Sequence, residues 1–333
     1  MSNPATRIPE LDILKGFAMI CMVIGHSIIV YPIDISHVAW CEGLHNFIYS
    51  FHMELLFLLS GFLYRRKEWL PYVKGKVNRI LVPYLIWGAV FLLMPVLFSP
   101  IVHRETPFAD GVVNYLLYGG GYWFLYVLFI IFMIYPLIDM LQNGLKTVMM
   151  VALLFANYFI KFPSVLCLDL VMFYLTFFMA GNLLSGIVMK HYVDGKLNRW
   201  LGLIGLLFMC LLITNRFIPV PAYFTNFIRT VCVMGLLAVA SNWLYYTAIG
   251  TKDIVLGKMV SVTSLCGQYS LQLYLFNGFL MVPLRVLLCS VMHVENAVAI
   301  VSVISVVDIA ISLLVCVYLL PKSKILSYVC GVK

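Results

Sequence analysis

Residues 11–31 read LDILKGFAMICMVIGHSIIVY, an almost unbroken apolar run. Its length matches the roughly 20 residues that a helix needs to cross the hydrocarbon core of a bilayer. The whole chain has the same character, because 63% of its 333 residues are hydrophobic and only 11% are charged. A soluble domain has about 25% charged residues. The composition therefore excludes a soluble fold and predicts an all-α, polytopic bundle of membrane helices.

Hydropathy along the chain predicts about ten spanning helices, with prolines and glycines near many of the joints between them. They lie at 11–31, 46–64, 80–99, 122–141, 147–162, 168–188, 200–218, 222–245, 267–290 and 297–320. Ten spans of about 20 residues leave only short loops between them. We therefore expect one membrane-embedded domain over residues 1–333, without a sizeable soluble domain.

The basic residues test this map, because cytoplasmic loops of membrane proteins carry an excess of lysine and arginine. The net charge is +8, and an N-terminus in the cytoplasm puts most of the 22 basic residues on cytoplasmic segments. The loops on the other side then hold Arg104, Lys161 and Arg216. This asymmetry predicts that both termini are cytoplasmic. We expect a multi-pass protein of the cell inner (cytoplasmic) membrane.

Two classes of ligand are not expected from this sequence. Nucleic acid is a poor candidate, because no long basic run with interleaved aromatic residues occurs. The nine cysteines show no metal-type spacing and lie mostly inside apolar segments, so no metal site is expected.

Ionisable side chains inside the predicted spans mark a candidate site, because each costs several kcal/mol in a bilayer and such residues are usually functional or paired. Depth along each helix puts most of them in the outer half of the membrane, and one near the middle of the last span. They are His26, His52, Glu54, Arg229, Arg285 and Asp308. The sequence does not decide how these groups pair.

The first span carries a cation and a histidine on one side. Lys15 and His26 are eleven residues apart, which is about 20° past three full turns and about 16 Å along an α-helix. This geometry suits a ligand that enters from the cytoplasm with an anionic end at Lys15 and a reactive end at His26. A lysine that extends to the membrane surface and a structurally hydrogen-bonded histidine fit the spacing equally well.

A basic loop follows the second predicted span. Its cations are Arg65, Arg66, Lys67, Lys74, Lys76 and Arg79. They are able to bind a phosphorylated cytoplasmic ligand by charge-assisted contacts. Charge alone favours a simpler interpretation, which is the usual excess of lysine and arginine on a cytoplasmic loop together with contacts to anionic lipids.

Three passages, in this order and spacing, carry a family resemblance. They are LDILKG at 11–16 with VIGHS at 23–27, FHMELLFLLSGF at 51–62, and KVNRILVPY at 76–84. They resemble the acyltransferase-3 family of membrane-bound acyltransferases, which opens with Leu-Asp-x-x-(Arg/Lys)-Gly and a helix that ends in histidine. A weaker fourth passage, YWFL at 122–125, is similar to the family's Trp-Phe-Leu helix start. The rest of the chain matches mainly in hydropathy and helix count.

The sequence looks most like the sugar and exopolysaccharide O-acetylases of this family. That resemblance implies transfer of an acyl group, in this type acetyl, from cytoplasmic acetyl-CoA to a hydroxyl. The acceptor is an envelope glycan, an exopolysaccharide or a precursor such as a lipid-linked sugar, and membrane lipids surround the protein. The sequence leaves open whether the group is acetyl or succinyl, whether transfer is direct or passes through an acyl-histidine, and the oligomeric state.

The resemblance also assigns roles to residues. His26 is implied as the catalytic histidine, and a histidine suits a general base near neutral pH. The resemblance also raises His52 as a second catalytic candidate, and a histidine hydrogen-bonded within the bundle is the equal alternative. The resemblance implies that Lys15, Lys76 and Arg79 bind the donor, acetyl-CoA. The charge of the basic loop adds Arg65 and Arg66 as candidates for the same donor.

Three positions depart from the family pattern. Glu54 replaces the usual proline after His-Met, Asn277 stands where many members carry histidine, and Leu128 stands where some have glutamate. We expect Glu54 to orient or polarise a histidine. Asn277 and Arg285 are candidates for acceptor binding.

Small and aromatic residues have simpler expected roles. Ser60 and Gly61 are expected to permit close helix packing. Tyr122 and Trp123 fit an interfacial aromatic belt, and stacking on a sugar is the alternative.

Two other functions remain open from the residues alone. A transporter or glycan-lipid flippase also has many helices with buried ionisable residues, although no internal repeat is visible. A membrane sensor or scaffold without catalysis is the third interpretation. Saturable binding of coenzyme A separates an acyltransferase from a carrier.

Overall fold

The computed structural model describes residues 8–29, 35–97, 107–193, 222–251 and 253–332. These residues are mainly helical, and no strand occurs among them. The helices of the first half are α1 (Pro9–Ile29), α2 (Ala39–Tyr49), α3 (His52–Phe62), α4 (Trp69–Lys76), α5 (Val82–Leu97), α6 (Phe108–Tyr118) and α7 (Trp123–Ile138). Those of the second half are α8 (Asn143–Phe159), α9 (Leu168–Val193), α10 (Ala222–Thr251), α11 (Ile254–Gln268), α12 (Ser270–Arg285), α13 (Ala297–Leu314) and α14 (Lys324–Val329).

Within the residues that the structure describes, seven helical segments are long and apolar enough to cross a membrane. They are Pro9–Ile29, Trp69–Met94, Phe108–Ile138, Val165–Gly186, Phe224–Thr251, Ser270–Val291 and Ala297–Lys322. Each overlaps one of the ten predicted spans, so the prediction of an all-α polytopic membrane bundle is confirmed. The total of ten spans and the cytoplasmic termini stay predictions.

The prediction of one continuous helix over 46–64 is wrong. Helix α2 ends at Tyr49 and α3 begins at His52. The backbone N–H groups of Ser50 and Phe51 donate to carbonyls only three residues back, and the Ser50 hydroxyl donates to the Phe47 carbonyl at 2.7 Å. Serine competes for helical carbonyls in this way, and three-residue bonds tighten and end a helix.

Two further predicted spans differ in their outcome. The span at 147–162 is α8, which has 17 residues and ends at Phe159. The span at 200–218 lies outside the described residues.

Helix α11 lies in a segment that we predicted to be a loop. Its start is marked by Asp253, whose carboxylate accepts from the backbone N–H groups of Val255 and Leu256. Serine, threonine, glycine and lysine residues lower the hydropathy of this segment, so it does not resemble a span. An acidic N-cap before a helix is a signal that hydropathy does not use.

Contacts divide the chain into two compact units, which are described separately. The first comprises Met1–Leu59 and Gly186–Tyr318, and the second comprises Ser60–Ser185 and Leu319–Lys333. The expectation of a single domain over residues 1–333 remains a prediction.

Helix α1 is the central element of the first unit, where it contacts α2, α10, α11, α12 and α13. Its closest crossing is with α11 and depends on two glycines. A Cβ atom on Gly16 would collide with the Thr263 carbonyl, and one on Gly267 would collide with the Asp12 carbonyl. Small residues permit such close approach of two backbones in membrane helices.

A similar contact lies in the second unit. A Cβ atom on Gly61 would collide with the carbonyl of Phe178, so the end of α3 lies directly against α9. The predicted packing role of Gly61 is confirmed.

Candidate functional site

His26 lies in the last turn of α1 and is partly buried. Its Nδ1 atom is 3.3 Å from the side-chain amide nitrogen of Asn277, which α12 brings to this position. The same amide nitrogen is 3.5 Å from the sulfur of Met22, one helical turn before His26. Asn277 is buried, so this contact is shielded from the surroundings. The structure thus brings together two residues that the sequence placed on separate predicted helices.

Lys15 and His26 belong to one unbroken helix, because α1 runs from Pro9 to Ile29. The helical spacing that puts both side chains on one side of α1 therefore applies. Lys15 is partly exposed and makes an interaction of its own.

Arg285 supports the end of α1 that carries His26. The guanidinium is fully buried and donates to the carbonyl of Ser27 at 2.8 Å and to that of Ile28 at 3.2 Å. The last carbonyls of a helix lack partners within the helix, and a cation at this end also suits the helix dipole. Arg285 therefore holds the backbone next to His26, which is a structural task that the sequence did not predict.

A second contact fixes the same turn from α13. The hydroxyls of Ser305 and Ser27 are 3.3 Å apart. Asp308 lies one turn further along α13, is 1% exposed, and its Oδ1 has no hydrogen-bond partner within the described residues. From the sequence, an ion pair between Arg285 and Asp308 is possible. In the structure, Arg285 donates its hydrogen bonds to the Ser27 and Ile28 carbonyls of α1.

The ring of Tyr49 lies among three histidines near the break between α2 and α3. Its centroid is 3.9 Å from that of His45, 4.9 Å from that of His52 and 6.1 Å from that of His26. Among the described residues, no group of three or more metal-binding side chains is arranged to hold a metal ion. The rings of His26 and His45 stack on that of Tyr49, and the ring of His52 is tilted against it by 59°.

Two members of this cluster were not predicted from the sequence. His45 and Tyr49 were not singled out, although residues 45, 49 and 52 follow the spacing of one helical face. That spacing, combined with the histidine at its end, was the available signal.

His52 has a defined proton arrangement. Its Nδ1 lies 2.8 Å from the carbonyl oxygen of Ile48. A carbonyl only accepts, so Nδ1 carries the hydrogen, and Nε2 is the lone-pair nitrogen of the neutral ring. The bond caps the end of α2, which gives His52 a structural function at the helix break.

Glu54 was expected to orient a histidine. The side chain is 5% exposed, and it makes no hydrogen bond to His26 or His52 in the described part of the chain. Its Oε2 has no hydrogen-bond partner there. Asn277, rather than Glu54, is the side chain within hydrogen-bond distance of His26.

The predicted donor-binding cations of the second unit have different surroundings. The guanidinium of Arg65 donates to the carbonyls of Phe62 and Tyr64 at 3.0 and 2.8 Å, at the end of α3. The ammonium of Lys76 lies 3.2 Å from the ring centroid of Phe132. These two cations are engaged within the protein.

Arg66 and Arg79 are exposed, as is Arg65, whereas Lys76 is partly buried. Arg79 lies in a π-helical segment, Val77–Leu81, between α4 and α5. π-Bulges are frequent at functional sites. Of the cations predicted to bind the donor from this unit, Arg66 and Arg79 are the better candidates, because the exposed Arg65 already donates to two carbonyls.

The two aromatic residues predicted for the membrane interface, Tyr122 and Trp123, also differ in exposure. Tyr122 is 4% exposed, and its ring packs near that of Phe91. Trp123 is partly exposed and stacks on Tyr174 with centroids 5.5 Å apart. Of the two side chains, only Trp123 presents appreciable surface to a lipid headgroup or a sugar.

Comparison with known proteins agrees with the resemblance seen in the motifs. "Nodulation protein NolL" of Mesorhizobium japonicum (strain LMG 29417 / CECT 9101 / MAFF 303099) is 25% identical to this chain over 130 residues. That match covers 38% of this chain and 34% of the relative, so the chain matches about a third of that protein's length. No solved structure matches the chain. Residues 8–319 match an acyltransferase domain, acyltransferase-3. Because this match covers nearly the whole chain, the protein belongs to the acyltransferase-3 family.

Proposed function

We propose that this membrane protein transfers an acyl group, in the first instance acetyl, from cytoplasmic acyl-CoA to a hydroxyl. The acceptor is a hydroxyl of an envelope glycan, an exopolysaccharide or a lipid-linked precursor, and the protein works in the cytoplasmic membrane. The observation that carries the proposal is a partly buried histidine that ends a spanning helix and contacts a buried amide, in a chain of an acyltransferase family. A hydroxyl is a weak nucleophile until a base removes its proton, and histidine is suited to that task.

In the proposed transfer step, His26 acts first as a base and then as an acid. The imidazole takes the proton of the acceptor hydroxyl while the hydroxyl oxygen bonds to the thioester carbonyl carbon. The bond between that carbon and sulfur breaks, and the imidazolium gives its proton to the departing thiolate. The products are the O-acyl glycan and coenzyme A, and His26 returns to its neutral form. An acyl-histidine intermediate is the alternative route.

Two sets of cations are candidates for the phosphates of the donor. Lys15 is the candidate of the first unit, since it lies on the His26 side of α1. Arg66 and Arg79 are the candidates of the second unit, since they are exposed. Arginine binds phosphate through paired hydrogen bonds and lysine binds it as a point charge.

The residues proposed to contact the acceptor are chosen by whether their side chains are exposed and free to bind it. Trp123 is the better candidate for stacking on a sugar, because Tyr122 is buried. Arg285 is a weaker candidate for acceptor binding than the sequence suggested, because its guanidinium already donates to two helix carbonyls.

The first experiment measures transfer from labelled acetyl-CoA to membrane glycans in vesicles that contain His26→Asn. We expect the rate to fall at least about 100-fold, the usual contribution of a general base. The matched control is His293→Asn, which replaces an exposed histidine with φ 52° by another residue that tolerates this conformation. Unchanged transfer in His26→Asn with normal protein levels overturns the catalytic role.

A second measurement separates the acyltransferase from a carrier. Binding of coenzyme A to the purified protein should saturate, and Lys15→Ala or Arg79→Ala should weaken it about tenfold through loss of a charged contact. Lys258→Ala and Lys324→Ala are controls, because both lysines are exposed. Absence of saturable binding favours the transporter or flippase interpretation. Loss of the mass of an acetyl or succinyl group from glycans of cells without the protein identifies the donor.

A further inference from the structure

The side chain of Asn277 is placed to control which nitrogen of His26 carries hydrogen. It is 4% exposed, and its Oδ1 has no hydrogen-bond partner among the described residues, while its other end lies 3.3 Å from Nδ1 of His26. A buried amide oxygen without a partner costs about 1–3 kcal/mol. The neighbouring imidazole is a group that can relieve this cost.

A neutral imidazole has one N–H group and one lone pair, and the partner at one nitrogen decides the state of the other. When the amide nitrogen of Asn277 donates, Nδ1 of His26 offers its lone pair and Nε2 carries the hydrogen. That form has no basic nitrogen left for a substrate. When Oδ1 of Asn277 accepts instead, Nδ1 carries the hydrogen and Nε2 is basic.

A half-turn about the Cβ–Cγ bond of Asn277 exchanges these two arrangements. The oxygen and the nitrogen of the amide have nearly the same size, so each fits the position 3.3 Å from Nδ1. The turn gives Oδ1 the partner that it otherwise lacks, and the amide N–H2 gives up its 3.5 Å contact with the Met22 sulfur, which is only a weak acceptor.

We propose that Asn277 is a positioning residue, whose Oδ1 accepts a hydrogen bond from Nδ1–H of His26 and thereby keeps Nε2 as the basic nitrogen. This inference rests on the proposed function of His26. One orientation of the amide then serves the whole cycle. After Nε2 takes the hydroxyl proton, Nδ1–H is still present and Oδ1 still accepts from it.

The distance between the two side chains is fixed by a second contact between the same helices. Arg285 follows Asn277 by eight residues on α12, which is about 12 Å along the helix. It donates to the carbonyls of Ser27 and Ile28, directly after His26 on α1. The two helices are thus joined at His26–Asn277 and again at the end of α1, so neither ring nor amide is carried by a mobile loop.

The test reads the tautomer directly. Solid-state NMR of the full-length protein in lipid bilayers, with 13C,15N-labelled histidine, distinguishes Nδ1–H from Nε2–H. The His26 signals are assigned by difference with His26→Gln. We expect Nδ1–H in the wild type, Nδ1–H in Asn277→Asp, whose carboxylate only accepts, and a shift to Nε2–H in Asn277→Leu. Asn157→Leu is the matched control, because Asn157 donates to the carbonyls of Leu153 and Met172 in the second unit.

Kinetics supply a second readout. In Asn277→Leu we expect kcat to fall about tenfold, the effect of one lost hydrogen bond, with KM for acetyl-CoA unchanged. In Asn277→Asp we expect kcat above that of Asn277→Leu. An Nε2–H ring in the wild type, or an unchanged tautomer in Asn277→Leu, overturns the positioning role whether or not His26 is catalytic. Full transfer activity in His26→Asn overturns the proposed function instead and leaves the tautomer result standing.

Discussion

Two arginines of this protein, the buried Arg285 and the exposed Arg65, donate to backbone carbonyls at helix ends. Arg285 donates to the end of α1, and Arg65 donates to the end of α3. In an apolar medium the unpaired carbonyls of a helix end and an isolated guanidinium are both costly. Their pairing removes both costs without a carboxylate. The sequence marks Arg285 as unusual, because it lies inside a predicted span, but it does not reveal that its partners are backbone atoms.

Replacing Arg285 by methionine tests this structural role. Two hydrogen bonds from a charged group are lost, so we expect the apparent Tm in detergent to fall by at least about 5 °C. Acetyl transfer should fall in parallel, because the end of α1 carries His26. Lys258→Met, at an exposed cation on α11, is the control. A raised KM for the acceptor with an unchanged Tm would instead support the acceptor-binding role.

At the scale of helices, hydropathy predicts where long apolar helices lie, but it does not predict where a helix breaks. Hydropathy located α1 and six other spanning segments. It joined α2 and α3, because the side chains on both sides of the break are apolar and the break depends on the Ser50 hydroxyl and on three-residue backbone bonds. The contact between His26 and Asn277 was beyond prediction, because it joins helices separated by most of the chain.

The crossing of α1 and α11 gives a prediction at this scale. Gly16→Ala places a methyl group against the Thr263 carbonyl, which is backbone and cannot rotate away. We expect a loss of stability of about 1–3 kcal/mol, measured as a lower apparent Tm. The control is Gly257→Ala on α11, where a Cβ atom meets nothing within 4 Å. That change should be neutral or stabilise by up to about 1 kcal/mol, through helix propensity. Equal effects of both changes would contradict the tight crossing.

The whole molecule combines two compact units with a charge asymmetry along its sequence. The proposed catalytic residue His26 and its positioning residue Asn277 belong to the first unit, and the exposed basic segment that contains Arg66 and Arg79 belongs to the second. The predicted topology puts that segment in the cytoplasm, where acyl-CoA is available. This placement requires the chain to cross the membrane between α1 and the basic segment, and the only described helices there are α2 and α3. Each of these has 11 residues, so neither alone has the length of a usual span.

Cysteine labelling in right-side-out membrane vesicles tests this crossing. The background is favourable, because the eight cysteines of the described residues are free and buried, and Cys210 is replaced by serine. Single cysteines are introduced at Lys67, Lys324 and Glu295, all exposed positions. We expect a membrane-impermeant maleimide to label Glu295→Cys in intact vesicles, and Lys67→Cys and Lys324→Cys only after permeabilisation. The physical reason is the excess of basic residues on the cytoplasmic side. Labelling of Lys67→Cys from outside would mean that α2 and α3 do not cross together, and the basic segment would then be unable to meet a cytoplasmic donor.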